Sequence, residues 1–252
     1  MIIPKETEKE AQHDMSERLY TEEELNQRLD EQRRQLTETF SGIMDSVVLG
    51  MASVIEGRDN STGHHVRRTS KCVALFMKKL KDHPQYKDEI SDDFALCVTK
   101  AAPMHDLGKL QIPDAVLQKP GRFTDDEYRI MKDHSRYGAN LAYEVLSETF
   151  NDDFIRIAIN MAHFHHEKWD GSGYPKGLKG ERIPLESRIM ALADVFDALV
   201  SKRCYKDSFS YDDAFRIIEE SLGTHFDPKL GQAFLDVRPD IEELYNALLA
   251  EG

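Results

Sequence analysis

From about residue 43 to the C-terminus the apolar residues recur at helical spacing, and no useful stretch alternates apolar with polar. A 3.6-residue period without a 2-residue period predicts an all-α fold. Segments near 43–58, 65–82, 92–105, 125–147, 152–166, 185–202, 211–222, 228–236 and 239–250 carry the pattern. End signals agree with it. Thr124-Asp125-Asp126-Glu127 reads as a capping box, and Asp227-Pro228 as an N-cap followed by Pro at the first helical position. Leu117–Phe123 holds the turn signal Lys119-Pro120-Gly121, and the Gly- and Pro-rich run 170–184 reads as an ordered surface loop.

Residues 1–40 differ: they carry a net charge of −5 and no Gly. Thr21-Glu22-Glu23-Glu24 is a second capping box. Leu25, Leu29, Leu36, Phe40, Ile43 and Val47 follow as a heptad-like seam. Two readings stand: an amphipathic helix packed on its own domain, or a short coiled coil joining two subunits. The expected organisation is an acidic N-terminal helix, 1–42, before a helical domain, 43–252. The whole chain of 252 residues has a formal net charge of −13, which argues against coating duplex nucleic acid. A small anion held by a few local cations remains open. Three scattered cysteines, Cys72, Cys97 and Cys204, fit a reducing compartment such as the cytoplasm, and neither a signal peptide nor a membrane span is expected.

Ten His in so acidic a chain focus attention on nitrogen and oxygen metal ligands. His105-Asp106 ends an apolar helix and meets Gly108. His163, His165 and His166 crowd one helix end before the Gly-rich loop, a grouping suited to a transition metal. His65 and His134 sit in similar polar company. Asp194 interrupts the apolar run 188–199, where a carboxylate is costly unless paired or bound to a metal. Asp197 is expected to cap, or to orient a metal-bound His from behind.

Taken in order, His65, His105-Asp106 and Asp194 resemble the H…HD…D pattern of HD-superfamily metal-dependent phosphohydrolases. The fuller set resembles the HD-GYP family. The matching segments are T-G-H-H-V-R-R at 62–68, H-D-L-G-K at 105–109, I-P-D-A-V-L-Q-K-P-G at 112–121 and H-S-R-Y-G at 134–138. They continue with H-H-E-K-W-D-G-S-G-Y-P at 165–175, A-D-V-F-D-A-L at 193–199, R-C-Y-K at 203–206 and F-D-P at 226–228. They span roughly residues 45–235.

The resemblance implies an all-α HD-GYP bundle that hydrolyses cyclic di-GMP, or a related cyclic dinucleotide, to pGpG or GMP. The alternative is a catalytically weak module that binds such a ligand or a protein. It implies that His65, His105, Asp106, His134, His165, His166 and Asp194 ligate two divalent transition metals, iron or manganese, with Asp106 bridging and a metal-bridging hydroxide as nucleophile. Lys109, Arg203 and Lys206 would contact substrate phosphates, Tyr174 would contact substrate, and Lys109 would join His105 and Asp106 in catalysis. Chemistry supports the picture: two metals can hold a phosphodiester and ionise a water between them. The chain departs from the family in two places. Ser61 stands where many members have a Glu that ligates a third metal, so two metals are expected, and Cys204 replaces a Pro. His64 reads as exposed or supporting, His163 as supporting, and His13, His83 and His225 as structural or solvent-facing. A homodimer through the N-terminal helix is also expected.

Overall fold

A computed structural model describes residues 21–58, 64–148, 150–201 and 208–250. Eleven α-helices run through these residues: α1 (Glu22–Arg58), α2 (His65–Asp82), α3 (Asp92–Ala101), α4 (Asp114–Leu117), α5 (Asp125–Lys132), α6 (His134–Leu146), α7 (Asp152–Phe164), α8 (Leu185–Val200), α9 (Tyr211–Glu220), α10 (Pro228–Asp236) and α11 (Arg238–Ala250). Short 3₁₀ turns occupy Ala102–Met104, Leu107–Gln111 and Gly180–Arg182. No strand occurs among the described residues; Leu222 and Phe226 form an isolated bridge. The fold class is all-α, as the periodicity predicts.

Contacts divide the chain into two units, up to Ser46 and from Val47 on. In the first, Thr21 starts α1 with the expected reciprocal cap: its hydroxyl accepts from Glu24 N–H, and the Glu24 carboxylate accepts from Thr21 N–H. Leu25, Leu29 and Leu36 are exposed there, at 58%, 45% and 71%. Phe40 and Ile43 fall on α1, but their side chains lie outside what is described.

The second unit is built around α8. Its Ile189, Met190, Leu192, Ala193 and Phe196 are buried. The Phe196 ring meets Tyr245 edge-on at 5.0 Å, and Phe76 meets Phe234 at 5.1 Å. Burying each such side chain contributes roughly 1.5–3 kcal/mol. At the end of α1, Val48, Met51, Ala52 and Ile55 join this core at one-face spacing. Leu117 to Phe123 lies largely outside helix, as the turn signal predicts. A second, smaller cluster of Ile112, Val116 and Leu117, with Met131 and Tyr137 against it, lies beneath α4 and α5.

One difference from the periodicity matters for the site. The segment 125–147 is two helices, not one, with Asp133 between them. The break makes His134 the first residue of α6. Gly108 explains how His134 approaches the His105-Asp106 turn: a Cβ on Gly108 would collide with the His134 carbonyl and the Gly138 amide.

Candidate metal centre

Chain ends and turns, rather than mid-helix positions, deliver most of the site. His65 opens α2, His105 and Asp106 lie between two 3₁₀ turns, His134 opens α6, and His165 and His166 follow α7; only Asp194 comes from within a helix, α8. Three of the rings are anchored to main-chain carbonyls three or four residues back, which also accept from backbone N–H groups. His105 Nδ1 donates to the Ala102 carbonyl at 2.9 Å, His134 Nδ1 to Met131 at 2.7 Å, and His165 Nδ1 to Met161 at 2.9 Å. His65 Nδ1 is fixed by the Asp197 carboxylate at 2.7 Å. An anchored Nδ1–H leaves Nε2 with its lone pair toward the interior.

These Nε2 atoms converge on Asp106 from two sides. His65 and His105 lie 4.0 and 3.5 Å from Oδ2, and His134 and His165 lie 3.5 and 3.9 Å from Oδ1. Two groups result: His65, His105 and Asp194, and His134, His165 and His166, each with donor atoms within 4.8 Å of one another. Asp106 offers one oxygen to each group. His105 Nε2 is buried and has no hydrogen-bond partner, a vacancy that a buried polar nitrogen tolerates when a metal completes it. Neutral imidazoles, carboxylates and this orphaned lone pair fit divalent transition metals.

The electrostatics follow from burial and charge. Burial holds His134 and His165 down at about 4, and pushes His105 and His166 below the usual imidazole range. Burial also opposes charge on His65, but hydrogen bonds to Asp194 and Asp197 overcome it and raise that ring to about 10. Asp106 and Asp194 resist burial in the same way. Lys109 and the surrounding rings hold Asp106 well below the carboxylate range, and His65 does so for Asp194.

Behind His65 lies a support that sequence reading caught only in part. Asp197, expected to cap or to orient a metal-bound His, accepts from the His65 ring. Its Oδ1 accepts from Arg68 Nε at 2.6 Å, and both side chains are buried. Arg68 is three residues after His65 on α2, and that spacing was the available signal. Glu56 was missed outright: its carboxylate accepts from His64 N–H and Val66 N–H, capping α2 where His64 adopts a positive φ of 73°. Glu167 was missed too. Buried at 2% exposure, it accepts from Lys176 and Leu178 N–H and so holds the loop carrying Tyr174.

The centre opens into a cavity of about 610 Å³, within the range of small-molecule sites. Lys109 lines it, 2.9 Å from Asp106 Oδ2. Tyr174 lines it too and stacks on His166 at 4.8 Å. His225, read as structural or solvent-facing, instead lines the cavity, with burial lowering it to about 4. His163 lies half-buried beside the Ser135 carbonyl, His64 is exposed, and His83 stands 3.7 Å from Asp236. Arg203, Lys206, Cys204, Ser61 and His13 lie outside the described residues.

A family model described as "HD domain" matches residues 51–230. A cyclic di-GMP phosphodiesterase of Vibrio cholerae serotype O1 is 45% identical over 206 residues, 82% of this chain and 41% of that protein. The cyclic di-GMP phosphodiesterase response regulator RpfG of Xanthomonas campestris pv. campestris is 43% identical over 194 residues, 77% of this chain and 48% of that protein. The chain therefore spans less than half the length of these curated relatives. Its fold resembles the crystal structure of a cyclic GMP-AMP specific phosphodiesterase from V. cholerae, with a TM-score of 0.55 at 20% identity over 80% of this chain and 53% of that one. At that identity the likeness is one of fold.

Proposed function

The chain belongs to the HD domain family, and from that premise we propose that it is a metal-dependent phosphodiesterase hydrolysing cyclic di-GMP, or a related cyclic dinucleotide, to pGpG or GMP. The observation that carries the proposal is the division of donors around Asp106, three on each side of one carboxylate. The names of the similar proteins support the substrate class.

In this reading His65, His105, Asp106, His134, His165, His166 and Asp194 would hold two divalent ions, iron or manganese, Asp106 offering one oxygen toward each group of donors. Such a pair, when bound, grips the phosphate, ionises a water and stabilises both oxygens of an in-line displacement. The chain's own residues do the rest. The Nδ1 anchors fix His105, His134 and His165, Tyr174 packs on His166, and Asp197 with Arg68 fixes His65. Lys109, on the cavity wall, supplies a point charge for a phosphate oxygen. Tyr174 shapes the wall beside His166. By sequence position Arg203 and Lys206 add further phosphate contacts.

The test is anaerobic purification, elemental analysis and a chromatographic product assay on cyclic di-GMP with iron or manganese. The expected result is about two metals per chain and a pGpG or GMP product. A fully metallated chain that leaves every cyclic dinucleotide intact overturns the proposal.

The exposed Leu25, Leu29 and Leu36 support a second element of the reading: α1 joins two copies of the chain as a short coiled coil. Light scattering across a concentration series, with and without residues 1–40, checks this; unchanged mass on deletion rejects it. No described helix is long and apolar enough to cross a membrane. Cys72 and Cys97 are free thiols, which supports a reducing, cytoplasmic setting.

A further inference from the structure

An aromatic wall sits on the same cavity and plays no part in holding metal. Leu117, Phe123, Tyr128 and Met131 line it. Helix α5, which carries two of them, has no buried residue, although Tyr128, Ile130 and Met131 lie on it. Tyr128 and Phe123 are exposed, at 46% and 36%. Scattered exposed aromatics are ordinary. Two of them on one cavity, Tyr128 on a helix with no fully buried residue and Phe123 just before that helix, are a surface kept for something flat and apolar.

The wall is held in place without a ligand. Thr124 and Glu127 close a reciprocal cap at the start of α5. Lys119 pairs with the Glu127 carboxylate, tying the turn before the helix to its first turn. Leu117 belongs to the small cluster beneath, against which Met131 packs. Arg58 ties the segment before α4, donating to the Leu110 carbonyl at 3.0 Å and to Asp114 at 2.6 Å. Lys132 Nζ stands 4.4 Å over the Tyr128 ring, and the ring meets Tyr174 edge-on at 6.5 Å. The ring is therefore fixed in orientation while remaining open to the cavity.

We infer that Phe123 and Tyr128 form a stacking platform for a purine base, and so decide which phosphodiesters the centre prefers. The inference rests on the cyclic-dinucleotide reading above and adds to it the residues that recognise the base. A purine offers a flat π-face to either ring, and such stacking tolerates any base. The phosphate would meet the metal centre and Lys109 while the base meets the wall.

The experiment uses the full, metal-loaded chain and two substrates: cyclic di-GMP, which has bases, and bis(p-nitrophenyl) phosphate, which has no purine. Phe123→Ala and Tyr128→Ala should each lower the ratio of kcat/KM values, cyclic di-GMP over the small diester, by about tenfold. The loss should reside in KM, and Tyr128→Phe, which keeps the ring, should restore it. An unchanged ratio, or equal losses on both substrates, overturns the platform.

A second readout separates this inference from the one beneath it. GMP and ribose 5-phosphate are compared as inhibitors of bis(p-nitrophenyl) phosphate hydrolysis. If the chain cleaves the small diester but no cyclic dinucleotide, the substrate reading falls. The platform then stands only if GMP inhibits better than ribose 5-phosphate and loses that advantage in the alanine variants. Equal inhibition by the two compounds overturns it.

Discussion

The two donor groups of the candidate metal centre are made of different materials. His65, His105 and Asp194 combine two imidazoles with a carboxylate, while His134, His165 and His166 contain no acid of their own. The first half is backed by charge, since Asp197 and Arg68 stand behind His65. The second is backed by neutral groups: main-chain carbonyls hold His134 and His165, and the Tyr174 ring covers His166. Protonation sets His65 apart from the buried rings. His65 is held charged, with its range raised to about 10, whereas His134 and His165 are held neutral, near 4. A metal entering the first half displaces a proton, and one entering the second meets lone pairs already free. One carboxylate, Asp106, thus faces a half in which a protonated ring sits beside a carboxylate and a half whose rings are neutral.

The strongest way to break the comparison is to remove the shared group. Asp106→Ala takes an oxygen from both halves at once. Two-metal stabilisation of a phosphodiester transition state is worth several kcal/mol, so kcat/KM should fall roughly a thousandfold or more. Metal analysis should show both ions weakened together. Loss of one ion only would mean that Asp106 serves a single half.

A smaller effect should separate the halves. Asp197→Asn keeps the shape but removes the charge behind His65. Groups that orient a ligating His typically change metal affinity or activity by about 10- to 100-fold. The expected outcome is one weakened class of metal site and one unchanged, read by titration with manganese. Equal weakening of both classes would remove the distinction drawn here.

What could be read from the chain alone tracks how local each feature is. Helix faces are set by neighbours three and four residues away, so the all-α class and nearly every segment were legible. The candidate donors were legible as residues because each lies in a short ordered motif. Their sorting into two halves was not, because it depends on which oxygen of Asp106 each ring faces. The break at Asp133 was invisible for a related reason. Its φ and ψ of −63° and −16° are helical, and the apolar period runs through it. The break sits where a distant turn approaches, Gly108 letting that turn press against His134. Glu56 and Glu167 escaped notice because an acid in an acidic chain gives no signal in the sequence until the backbone amides it accepts from are in place.

The smallest effect is a pH signature of the metal-free protein, with an acid limb from the buried neutral rings and an alkaline limb from His65. In an unfolded chain His134 and His165 titrate near 6.5. In the folded protein burial keeps them neutral to about 4. Between those values the unfolded chain binds protons that the folded chain refuses. Stability should therefore fall as pH drops from 6.5 toward 4, by about 1.4 kcal/mol per pH unit for each of the two rings. His65 works in the opposite direction. Raised to about 10, its contribution is fully present below 6.5 and is lost as pH rises through 10. Urea unfolding midpoints in chelator from pH 4 to 10 would show both limbs. His134→Gln should flatten the acid limb and spare the alkaline one, and His65→Gln should do the reverse. If either substitution altered both limbs equally, the halves would be one electrostatic unit, and Asp106 alone would not account for their coupling.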